Sequence, residues 1–177
     1  ALGTKAESLV GMFPEARYAI SFNPGENHPT RRELDLALSG PGFFHLQMPD
    51  GGVAYSRAGQ FSINAERTLV SSQGMELLST DGDPIQLGPG GTPPTIDADG
   101  SVRQGNNLIG QLAVSQPDMP SRMIPLVAGV FMPGPGAGMR EVEEPNVLQG
   151  YLEASNVKPL REMIELVGLA GKESAFP

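Results

Sequence analysis

Turn-forming residues recur through the middle of this chain at a spacing that leaves room for little except short strands. Ser39-Gly40-Pro41-Gly42, Pro49-Asp50-Gly51-Gly52, Gly59, Gly74, Asp81-Gly82, Gly88 to Gly91 and Asp99-Gly100 punctuate it. Between these signals the apolar residues alternate with a period of two, which puts them on one face of a pleated strand. Leu34, Leu36 and Leu38 alternate with Asp35 and Ala37, and Phe44, Leu46 and Met48 with His45 and Gln47. Asp50-Gly51-Gly52 supports a hairpin because glycine tolerates the positive φ of primed turns. Val53, Tyr55 and Arg57 form the return strand, Phe61 and Ile63 the next, and Leu108, Leu112 and Val114 are expected on one face of a later strand. Turn signals roughly every eight to twelve residues predict an antiparallel, mainly β domain of short strands and hairpins.

Four zones follow. Residues 1–33, with Pro14, Pro24 and Pro29, are expected to be an extended N-terminal segment, and 34–131 a β-rich core. Residues 132–149 are expected to be a linker, opening on Pro133-Gly134-Pro135-Gly136 and carrying Glu141, Glu143 and Glu144. In 150–177 the period changes. Val157, Leu160, Ile164 and Val167 are spaced three, four and three apart, the stripe of a short amphipathic C-terminal helix that Ser155 or Asn156 caps. Spacing alone leaves two readings open: a helix folded on its own β-domain, or one that needs a partner helix.

Little in the chain suits catalysis. With 177 residues and no Cys, disulfides and thiolate metal sites are excluded. His28 and His45 are far apart, and His45 reads as a solvated strand residue. Asp81-Gly82-Asp83 and Asp97-Ala98-Asp99-Gly100 lack the full ligand series of a calcium loop and read as turns. The Gly-rich stretches lack the Gly-Lys-Ser/Thr that cradles phosphate. A net charge of -8 disfavours nucleic acid and anionic membranes as partners. No apolar run approaches the ~20 residues that span a bilayer, so membrane insertion is not expected. The expectation is a protein with no catalytic residues, no metal and no cofactor, whose partners are proteins.

Two blocks of sequence then resemble a known family. Leu34-Asp35-Leu36-Ala37-Leu38-Ser39-Gly40-Pro41-Gly42-Phe43-Phe44 is similar to a signature of flagellar basal-body rod and hook proteins. It continues in Tyr55-Ser56-Arg57-Ala58-Gly59-Gln60-Phe61, and later in Gln149-Gly150-Tyr151-Leu152-Glu153-Ala154-Ser155-Asn156-Val157. The resemblance implies a structural subunit that stacks helically into the rod, transmitting torque around an export channel. Its partners would be copies of itself, neighbouring axial proteins and the flagellar type III export apparatus. It would lie in the basal body, spanning the periplasm, and would be exported without a cleaved signal. The seam Val157, Leu160, Met163, Ile164 and Val167 would begin an inner coiled-coil helix. The motif residues Leu34, Asp35, Gly40, Gly42, Phe43, Phe44, Tyr55, Arg57, Gly59, Phe61, Gln149, Gly150, Ser155 and Asn156 are expected to be fold determinants, with glycines for turns and aromatics for the core. The family's terminal helices are longer, so a core fragment is expected. The compact β-domain favours rod over hook. The alternative from another class is a secreted β-domain binding a small ligand or glycan.

Overall fold

The structure is a computed structural model that describes residues 25–127 and 129–154. It is built of sixteen short strands and one 3-10 turn. In chain order the strands are β1 (Asn27–Pro29), β2 (Leu36–Leu38), β3 (Phe43–Gln47), β4 (Val53–Ser56), β5 (Phe61–Ile63), β6 (Leu69–Ser71), β7 (Glu76–Leu77) and β8 (Pro94–Ile96). They continue as β9 (Ser101–Gln104), β10 (Asn107–Gln111), β11 (Val114–Pro117), β12 (Met123–Pro125), β13 (Val130–Pro133), β14 (Met139–Glu141), β15 (Val147–Gln149) and β16 (Tyr151–Glu153). The mainly β, antiparallel class read from the sequence is what the chain adopts.

The largest sheet has nine strands. Its main path runs β12-β13-β4-β3-β7-β6-β5; β11 joins it by pairing with β3, and β14 is added through β11. Its centre is the β3–β4 hairpin, in register from Phe44↔Ser56 to Gln47↔Val53. The Asp50-Gly51 turn closes it with Met48 N–H on the Gly52 carbonyl (2.7 Å) and Gly51 at φ 91°. A three-stranded sheet β10-β9-β8 and two ribbons, β15-β2 and β1-β16, complete the body. One core joins the two larger sheets and the β15-β2 ribbon: Leu36, Leu38, Phe44, Leu46, Phe61, Leu69, Leu77, Ile85, Val102, Leu112, Val114 and Val147 are all nearly excluded from solvent. The Phe44 and Phe61 rings meet edge to face at 5.5 Å, a geometry that aligns ring edge with ring face.

Several expectations are corrected. Residues 132–149 hold the end of β13 and all of β14 and β15, which pair with β11 and β2. Strands of three residues are too short to show a period, and the signals that mattered were Ala137 and Val147, both buried. Of the N-terminal segment 1–33, residues 1–24 lie outside the described residues, and β1 within the rest pairs with β16. Asp35 and Ala37 do not face solvent. Both are buried, so Leu36–Leu38 is covered on both faces. Leu108 is 64% exposed while Leu112 and Val114 are buried. A register shift between Leu108 and Gly110 turns Leu108 outward, the usual effect of a bulge on alternation. Tyr55 is half-buried outside the main core, in register with His45 and Phe131. The C-terminal helix, including Ser155, Asn156 and the seam Val157, Leu160, Met163, Ile164 and Val167, lies outside the described residues.

Candidate functional site

The two blocks of motif residues fold against each other. Leu36 N–H donates to the Gly59 carbonyl (2.8 Å) and Phe61 N–H to that of Leu34 (3.0 Å). Strand β15 then pairs with the other edge of β2, Val147↔Leu38 to Gln149↔Leu36. Strand β2 is therefore held from both sides by segments far from it in sequence.

Arg57 locks this junction. Its Nε and Nη2 donate to the two carboxylate oxygens of Glu153, at 2.7 and 2.8 Å. Nη1 donates to the carbonyls of Gly40 (2.9 Å) and Gly42 (2.7 Å), and Nη2 to that of Leu38 (3.0 Å). All five guanidinium donors are thus used. The two side chains are only 13% and 12% exposed, so a bidentate, largely desolvated pair ties the 38–42 turn to β16. Glu153 also accepts from Gly25 N–H (2.5 Å), and Ala154 N–H donates to Glu26 O (2.6 Å). Gly25 and Ala154, the first and last described residues, lie side by side, and a Cβ on Gly25 would fall 2.2 Å from the Ala154 carbonyl oxygen.

The other motif residues support this point. The Gln149 amide donates to the carbonyls of Glu33 (2.8 Å) and Pro94 (2.9 Å) and accepts from Ile96 N–H (3.0 Å). Gly150, at φ 82°, donates to Asp35 O (2.7 Å) and accepts from Thr30 and Arg31 N–H. Gly42, at φ 122°, leaves space for Val114, whose Cγ1 would sit 2.6 Å from an added Cβ. Gly40 meets no such demand, since nothing lies within 4 Å of its Cβ position. Its contribution is its carbonyl. Asp35 is 1% exposed, with Arg32 Nε 3.5 Å away and no hydrogen-bond donor on its carboxylate among the described residues. Glu153 is the residue that sequence reading placed in a motif without giving it a role. The signal was a carboxylate in the later block that could answer Arg57 in the earlier one.

His45 is not the solvated residue expected. It is half-buried, its Nε2 is 2.7 Å from Ser115 Oγ, and its ring meets Tyr55 edge-on at 4.8 Å. Burial lowers its pKa to about 4 and raises that of Tyr55. A depressed His stays neutral in the folded chain while the unfolded chain takes up a proton below its ordinary 6.5. His45 therefore stabilises fully above pH 6.5, and this contribution is lost as pH falls towards 4. Discounted for partial solvent screening, the loss is about 2 kcal/mol. Urea midpoints measured from pH 7.5 to 4.5 are expected to fall less steeply in His45→Gln, which keeps a donor for Ser115. Parallel profiles in the two proteins would refute a titrating His45.

Two open clefts, of about 320 and 360 Å3, lie beside Arg32 and Gln149 and beside Met48 and Met75. Neither is lined by His45 or by Glu141, Glu143 or Glu144. The Asp81–Asp83 and Asp97–Gly100 segments are turns, closed by Gly82 N–H on Ser79 O and Gly100 N–H on Asp97 O (2.9 Å each).

The family profile described as the flagellar hook protein FlgE/F/G D1 domain matches residues 37–104. Flagellar basal-body rod protein FlgF of Caulobacter vibrioides is 34% identical over 167 residues, 92% of this chain and 68% of that protein. FlgF of Rhizobium meliloti is 30% identical over 170 residues, 94% and 69%. Flagellar hook protein FlgE of Salmonella typhimurium is 47% identical, but over 75 residues, 42% of this chain and 17% of the hook protein. The chain spans about two thirds of the length of these two rod relatives.

Proposed function

The chain belongs to the flagellar basal-body rod protein family, and from that we propose that it works as a structural subunit of the rod, without catalysis, stacking helically with copies of itself and with neighbouring axial proteins. The observation that carries this reading is likeness to rod proteins along more than nine tenths of the chain, against less than half for the hook protein. The geometry agrees with it in physical terms. A subunit of an open helical tube makes head-to-tail contacts in which different patches meet, and it must hold those patches in fixed relation under load. The Arg57–Glu153 pair and the β1–β16 ribbon do so where Gly25 and Ala154 come together.

The subunit reaches the basal body through the flagellar type III export apparatus without a cleaved signal, spans the periplasm with its fellows and transmits torque around the export channel. Deleting the gene in its host is expected to abolish swimming and to leave basal bodies truncated at a defined point in electron micrographs, with both defects restored by the full-length gene. Normal flagella in a host without a paralogue would overturn the reading.

A further inference from the structure

We propose that the β12–β13 hairpin is the surface through which this subunit docks on a second copy of the same chain; the inference rests on the rod-subunit reading and names the contact that reading requires. Large apolar side chains are exposed at few places in the described residues, and four of them lie here: Ile124 (44%), Leu126 (41%), Val127 (53%) and Met132 (37%). Ile124 and Met132 are cross-strand partners, so they stand side by side on one face. Val130 shares that face and is buried. The apolar face thus starts in the core at Val130 and continues uncovered to Met132 and Ile124. Gly134 lets Ile124 lie flat, since a Cβ there would come within 3.2 Å of Ile124 Cδ1.

The sheet edge beside this face is closed to strand addition. Pro125 has no N–H, and Met123 N–H is spent on Pro120 O. Edge prolines of this kind block open-ended β pairing. The partner must therefore meet side chains. Charge selects which partner. Between Asp118 and Glu141 the only charged residues are Arg122 and Arg140, in a chain of net charge -8. Arg140 pairs with Asp118, and Arg122 has no ion pair among the described residues. The hairpin is thus an apolar, cationic island on an acidic molecule, complementary to the acidic surface of another copy, of which Glu141, Glu143 and Glu144 are the densest exposed group. An anionic lipid surface would meet one cation here and repulsion elsewhere. The four residues present on the order of 300 Å2 of surface, under half of the roughly 800 Å2 that each partner gives in a stable pair. A single contact is accordingly weak, and repetition along a polymer makes it hold.

The chain has no Cys, so Val127→Cys supplies its one thiol for a maleimide photo-cross-linker at the hairpin tip. In host cells and in the purified chain, an adduct of twice the chain mass is expected. An adduct only with a different protein or with lipid would overturn the proposal. In sedimentation velocity, Ile124→Glu is expected to weaken self-association at least tenfold. Val53→Glu, at a comparably exposed site (38%) on another hairpin, should change it less than twofold. Both variants should keep the wild-type unfolding midpoint, which separates docking from folding. Equal weakening by the two variants, or a wild-type chain that stays monomeric at millimolar concentration, would also overturn it. If Ile124→Glu restores normal rods in the deletion host, the hairpin contact falls while the rod reading stands. If the deletion itself leaves rods normal, the rod reading falls instead.

Discussion

Arg57→Ala is expected to destabilise the β body by about 4 kcal/mol, a large share of the stability of an ordinary domain. The net worth of an ion pair would not give such a figure, because desolvation offsets much of the attraction. What costs is the remainder left behind. Glu153, 12% exposed, would keep a carboxylate with only Gly25 N–H to answer it. The carbonyls of Leu38, Gly40 and Gly42 would lose their donors together, and a buried group left unpaired costs ~1–3 kcal/mol. Urea unfolding is the measurement, and the midpoint should drop on the order of 2 M at an ordinary m-value. Arg57→Lys should fall between, since an ammonium keeps the charge but cannot fork across two carboxylate oxygens and three carbonyls. In a double-mutant cycle with Glu153→Gln, the two losses should be strongly less than additive. Additive losses, or an Arg57→Ala midpoint within 0.3 M of wild type (roughly 0.5 kcal/mol), would show that the clamp is incidental.

The parts of this fold that were legible in sequence are those where local chemistry and tertiary pairing agree. The β3–β4 hairpin could be read because Asp50-Gly51-Gly52 demands a tight turn and the flanking residues alternate. Asp35, Ala37 and His45 could not, because alternation assigns every second residue to solvent, and β2 and β3 are covered on both faces. Leu108 fails for the opposite reason: a one-residue register shift reverses the face of everything before it. Strands β14 and β15 are written in three residues each, and only long-range pairing with β11 and β2 defines them. At the site, Arg57 was identifiable as a motif residue, but its partner lies 96 positions away. No periodicity connects such a pair, and only the shared resemblance put both segments on one page.

Gly59→Ala is the second large effect, and its cause is contact alone. An added Cβ would fall 1.5 Å from the Leu36 carbonyl oxygen and 2.7 Å from its carbon. Gly59 does not have the positive φ that most glycines of this fold adopt, so the backbone conformation itself would accept alanine. The obstacle is Leu36, which cannot retreat as a flexible side chain could. Its N–H is bonded to Gly59 O, its neighbour Leu38 is bracketed by β15, and its side chain is 1% exposed in the core. Relief would have to come from parting the 34–36 and 59–61 segments. That forfeits the bonds between Leu36 and Gly59 and between Phe61 and Leu34, and shifts Phe61 off Phe44. The expected cost is at least ~3 kcal/mol, the upper range for overpacking a core, and expression as inclusion bodies would be its cellular sign. Gly40→Ala is the matched control. The same methyl group enters the same motif where nothing lies within 4 Å, so its change should stay within about 0.5 kcal/mol. Thermal and urea unfolding of the pair decide the matter. If Gly40→Ala is as damaging as Gly59→Ala, the motif glycines act through chain flexibility. If only Gly59→Ala fails, the demand for glycine in this signature is a demand for room between two strands.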